Sequence, residues 1–123
     1  MDPKALTLTN RPLTPKREKK APRHKSGEHF LRGPIPMAWL CAASRASGNG
    51  SGFKVAIALW YLSGLNRQAR TVKLKGSVLR EMGVDRHAAY RGLVTLEEAG
   101  LISVERHPGR SPLVTILDVG RPD

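Results

Sequence analysis

The sequence predicts a mainly α domain with a small β-hairpin, carried behind a basic N-terminal arm. Three observations predict it. Ala89, Leu93 and Leu96 recur at four and three residues, the spacing of one buried helical stripe. Two β-branched runs, "LISVER" (101–106) and "LVTILD" (113–118), are separated by "HPGRSP", whose Pro and Gly make a turn. Residues 1–26 show no apolar period.

The arm, "MDPKALTLTNRPLTPKREKKAPRHKS", has Pro at 3, 12, 15 and 22 and holds eight Lys or Arg against two acids. Such a segment cannot bury enough apolar surface to offset the entropy of ordering it, so disorder is expected over 1–26 and the folded domain over 27–123. In "GPIPMAWLCAASRAS" Pro36 suits a first helical turn, where a missing N–H costs nothing, and Trp39, Leu40 and Ala43 can share a face. "SGNGSG" (47–52) breaks that helix with a loop; it lacks the Gly-Lys-Ser/Thr of a phosphate-binding loop.

"FKVAIALWYLSGLNRQ" (53–68) has almost no polar face. A helix apolar all round must be covered on all sides, so it is either the central core helix or meets a second subunit. "TVKLK" (71–75) alternates like a brief strand, and "GSVLREMG" (76–83) is a short helix ended by Gly83. Asp85 can cap the next helix by accepting from its free N–H groups, and Gly100 closes it.

The chain of 123 residues holds 21 Lys or Arg against 10 Asp or Glu, a formal charge of +11. Both arm and domain are basic, which points to nucleic acid or an anionic surface as partner. Cys41 is the single cysteine, excluding an internal disulfide, and its apolar neighbours suit a small buried residue. His87 and His107 have no zinc-like Cys or His spacing, and neither metal nor cofactor is expected. With no nucleophile elbow and no clear acid–base pair, an enzyme is not expected. The most apolar stretch, Phe53 to Leu65, is shorter than the roughly 20 residues of a membrane span, and "MDPKALTLTN" lacks the apolar region of a signal peptide. A cytosolic protein is expected.

The run "VLREMGVDRHAAYRGLVTLEEAGLISVER" (78–106) resembles the winged helix-turn-helix proteins, notably the MarR- and GntR-type bacterial regulators. The resemblance covers about residues 70–118. It rests on the "MGV" turn, a helix ending "LEEAGLI" and the hairpin directly after it, in register. It implies a winged helix-turn-helix fold, a recognition helix over 86–99, a wing over 103–116, and double-stranded DNA as partner of a transcriptional regulator on the nucleoid. Two positions depart from the pattern: Leu79 stands where a small residue is usual at a close helix crossing, and Asp85 where Ser or Thr is common.

On a helical wheel His87, Arg91 and Val94 point away from the Ala89 stripe, with Arg86 and Tyr90 on a flank. Base reading is therefore expected from Arg86, His87, Tyr90 and Arg91. Phosphate or minor-groove contact is expected from Arg106, His107 and Arg110 on the hairpin and from Lys73 and Lys75 near the short strand. The arm is expected to add Lys16, Arg17, Lys19 and Lys20. Glu97 and Glu98 are expected outside the groove. Two alternatives share the sequence: an accessory factor in plasmid replication, partition or site-specific recombination, and a protein-docking adaptor. The apolar second helix, with the first helix around Trp39, suggests a homodimer.

Overall fold

The computed structural model describes residues 20–119, a mainly helical domain with a small three-stranded antiparallel sheet. The elements are α1 (Met37–Ser47), α2 (Gly52–Leu65), β1 (Thr71–Lys73), α3 (Gly76–Glu81), α4 (Arg86–Glu98), β2 (Ile102–Glu105) and β3 (Leu113–Ile116). Of the expected arm, residues 20–26 fall within this range and are exposed, with the His24 ring stacked on Phe30 at 3.8 Å. The expectations for Lys16, Arg17 and Lys19 lie outside the described residues.

Helix α1 begins after Pro36, whose carbonyl accepts the first helical hydrogen bond from Leu40. Trp39 and Ala43 are buried, while Leu40 is only half-buried. The Trp39 indole N–H donates to the Leu117 carbonyl at 3.0 Å, which pins α1 to the end of β3.

Helix α2 is the central core helix. It packs against α1, α3, α4 and β1, and the segment before α1 covers part of what remains. There the Tyr61 hydroxyl shares a hydrogen bond with His29 Nδ1 at 2.8 Å, and Arg32 lies against Gly64. Of its large apolar residues only Leu65, at its end, is exposed. One chain thus meets the demand for burial that a helix apolar all round makes. The apolar character of α2 therefore does not require a second subunit.

The expected two-stranded hairpin is part of a larger unit. Strand β3 lies in the middle, paired with β2 on one side and β1 on the other. Thr71 faces Thr115 and Val72 faces Val114, and the two threonine hydroxyls share a hydrogen bond at 2.9 Å. Pairing with β3 gives so short a strand a ladder that it could not make alone.

Helices α3 and α4 end in the same way. Gly83 and Gly100 both take φ of +78°. Behind Gly83, Val84 N–H reaches back to the Leu79 carbonyl; behind Gly100, Leu101 N–H reaches back to that of Leu96. Each end is a Schellman turn that satisfies carbonyls left free by the helix and buries the apolar residue after the glycine. Leu79, Val84, Leu96 and Leu101 all belong to the core. A large residue at position 79 is thereby explained: it anchors the turn between α3 and α4.

The close helix crossing lies instead between α2 and α4, at Gly52 and Gly92. A Cβ on Gly92 would stand 2.7 Å from Val55 Cγ2 and 3.2 Å from both Gly52 Cα and the Ser51 carbonyl oxygen.

Candidate nucleic-acid interface

Helix α4 is built with one buried and one open side. Ala89, Gly92, Leu93 and Leu96 are buried against the core. Arg86, His87, Tyr90 and Arg91 are exposed, and Tyr90 keeps 58 % of its surface open. Asp85 caps the helix as expected, its carboxylate accepting from Ala88 N–H at 2.8 Å. The first two turns therefore present two guanidiniums, an imidazole and a phenol, beside N–H groups whose dipoles favour anions. Val94, expected to point away from the buried stripe, is half-buried.

The sheet register decides which other cations lie near this face. Lys73 pairs with Leu113, and Leu113 with Glu105, so Lys73 sits at the hairpin-tip end of the sheet. Lys75, just beyond it, is exposed. Strand β2 leaves the C-terminal end of α4 and runs back along it, which brings Arg106 to Tyr90 in the first half of that helix. The guanidinium carbon of Arg106 is 5.7 Å from the centre of the Tyr90 ring. Lys73, the hairpin tip and the N-terminal half of α4 thus share one end of the domain. The opposite end carries the Arg70–Asp118 ion pair at 3.2 Å.

At the tip, His107 and Arg110 are exposed, and Arg110 N–H donates to the His107 carbonyl at 3.1 Å to close the turn. His107 Nε2 lies 3.0 Å from Glu105. Among the described residues Arg86, Arg91 and Arg110 take part in none of the ion pairs, which are Arg70–Asp118, Arg106–Glu97 and His107–Glu105.

Sequence reasoning missed two features. Glu97, expected only to lie outside the groove, accepts from Arg106 Nη2 at 3.1 Å, a partner that the sequence did not point to; Glu98 is exposed. Gly92 was not singled out either, although a glycine inside a helix costs about 1 kcal/mol relative to alanine and so calls for a packing reason.

Among the described residues no group of three or more His, Cys, Asp or Glu could hold a metal ion, and no helix is long and apolar enough to cross a membrane. A cleft of about 400 Å³ between α1, the end of α2 and the end of β3 lies at the Arg70–Asp118 end, and a larger one of about 800 Å³, lined by Lys75 and Arg80 among others, lies between the segment before α1, α2 and α3. Comparison of the chain with models of protein families, with curated proteins and with solved structures finds no match.

Proposed function

We propose that the domain is a winged helix-turn-helix that binds double-stranded DNA in a sequence-specific way, as a bacterial-type transcriptional regulator. In this reading α4 enters the major groove and the hairpin is the wing. The observation that carries it is the open side of α4: Arg86, His87, Tyr90 and Arg91 are all exposed on its first two turns, over a buried stripe of Ala89, Leu93 and Leu96. The helix–strand–helix–helix–strand–strand order from α2 to β3, with β3 central, supports the winged-helix assignment. So does the gathering of Lys73 and the hairpin tip at the same end as the first half of α4.

Each element then has a physical role. The N-terminal part of α4 reads base edges, since arginine can donate two hydrogen bonds to guanine O6 and N7. Arg106, His107, Arg110, Lys73, Lys75 and the arm hold phosphates or the minor groove and set the register. Two copies of the chain place two α4 helices on half-sites about one helical turn apart, roughly 34–36 Å.

Selection from randomised duplex DNA, followed by affinity measured against salt, tests the proposal. Expected are one recurrent preferred sequence and a log–log salt slope of about −0.9 for each phosphate neutralised. A chain that binds no duplex at low salt, or binds all duplexes equally, overturns sequence-specific recognition.

A further inference from the structure

Arg106 leaves β2 and crosses back onto α4, where it meets two side chains. Its Nη2 donates to Glu97 Oε1 at 3.1 Å, and its guanidinium carbon lies 5.7 Å from the centre of the Tyr90 ring. Tyr90 and Glu97 are seven residues apart, two helical turns, and so lie along one flank of α4. A single arginine therefore ties the first leg of the hairpin to the helix at two points. The bond to Glu97 is single, and a guanidinium has five N–H donors, so the others are not consumed by it.

The Arg106 and Glu97 side chains are 43 % and 37 % exposed. An exposed pair of this kind shifts an equilibrium by about two- to fivefold. That is too little to fold the domain and enough to bias how a four-residue strand and its turn sit beside a rigid helix.

We propose that Glu97 is a positioning residue. It holds Arg106 against Tyr90, and so sets the distance between the hairpin tip, with His107 and Arg110, and the base-reading residues Arg86 and Arg91. The inference rests on the DNA reading above and adds to it the residue that fixes wing to reader.

A positioning carboxylate and a merely repelling one differ in their effect on preference. A carboxylate that is merely near DNA repels phosphate, so its removal should tighten binding to every duplex alike. A positioning carboxylate behaves differently: without it the wing and reader no longer engage together, and preference falls even though a repelling charge is gone.

The test uses the full chain and its Glu97→Ala and Glu97→Gln variants. The probes are the duplex selected by the wild type and an unrelated duplex of equal length. In the alanine variant the ratio of the two affinities should fall about two- to fivefold, while affinity for the unrelated duplex holds or rises. Glutamine removes the same charge but keeps an acceptor oxygen for Arg106, so it should restore part of that ratio. Without DNA, the Tyr90 ring and Arg106 side-chain N–H resonances should move in Glu97→Ala and move less in Glu97→Gln.

Two results overturn the proposal: an unchanged ratio with tighter binding of both duplexes in both variants, or resonances that do not respond. A wild-type chain that binds no duplex while its resonances respond removes the DNA reading and the positioning role, and leaves the contact standing.

Discussion

Arg91 stands on the open side of α4, one residue before the glycine that seats the helix on α2, whereas Arg110 stands at the tip of a hairpin turn. A guanidinium carried on a packed helix can be aimed at one base; one carried on a turn can follow a phosphate. Arg91→Ala should therefore cost specific affinity, about 1–3 kcal/mol, and relax preference at one base position per half-site. Arg110→Ala should weaken binding to all sequences and reduce the salt slope by about one. Both side chains are exposed, so neither change should unfold the domain, and repeated selections on randomised DNA would separate the two effects. An unchanged preferred sequence and affinity in Arg91→Ala would mean that α4 is not the reader. At Asp85 one carboxylate has two consequences. Its carboxylate caps α4 through Ala88 N–H, yet it adds a negative charge at the end of the helix that the proposal brings to phosphate. Asp85→Ser should keep the cap and tighten duplex binding, whereas Asp85→Ala should lose about 0.5–2 kcal/mol of stability. Thermal unfolding and a salt titration on the same samples would check both.

At the scale of elements, the seating of α4 depends on a glycine without a side chain to offer. In an open helix Gly→Ala gains about 1 kcal/mol from helix propensity. At Gly92 the new Cβ would come within 2.7 Å of the buried Val55 and within 3.2 Å of two backbone atoms, which cannot swing aside. Overpacking of that kind costs about 1–3 kcal/mol, so Gly92→Ala should lower Tm despite the better propensity. Gly76, at the start of α3, is the control: a Cβ there meets only the end of the Arg80 side chain, at 3.4 Å, and Gly76→Ala should hold or raise Tm. If both variants raised Tm, the α2–α4 crossing would be looser than these distances require. Gly92→Ala should also weaken specific DNA binding more than non-specific binding, because tilting α4 moves Arg86 and Arg91 together.

For the whole molecule, the charge is shared between two parts to which the proposed function gives different tasks. Residues 1–26 carry eight Lys or Arg and two acids with no apolar pattern, which suits phosphate contact without base reading. A chain that begins at residue 20 should keep its Tm and its preferred sequence, bind all duplexes more weakly, and show a salt slope flatter by roughly one to three. Lost preference with intact non-specific affinity would make the arm a reader instead. The pairing of two chains on half-sites also belongs to this scale. Since α2 is largely covered within one chain, the proposed pairing falls to the open side of α1, where Met37 is 71 % exposed beside half-buried Leu40 and Cys41. Met37→Glu should then abolish paired binding in sedimentation. Wild-type protein that sediments as a monomer at high micromolar concentration, with and without DNA, would overturn the pairing and leave DNA binding itself intact.

The sequence by itself determined the elements whose causes are local. The cap at Asp85, the buried stripe of α4 and the turn in "HPGRSP" need only neighbouring residues, and each stands where the pattern predicts. The paired signals Leu79 to Val84 and Leu96 to Leu101 are of the same kind, because a left-handed glycine and the apolar residue after it close a helix within one turn. The exposure of Arg86, His87, Tyr90 and Arg91 was legible too, since it follows from helical periodicity once the buried side is known. Tertiary structure alone decided the rest. Strand β1 finds its partner 44 residues away in the Thr71–Thr115 pair, and no local rule couples segments so distant. Covering α2, seating Gly92 on Gly52 and joining Arg106 to Glu97 likewise depend on how helices cross and how β2 folds back. Periodicity gives each side chain a direction about its own axis, but which charge meets which is settled only when the axes are packed.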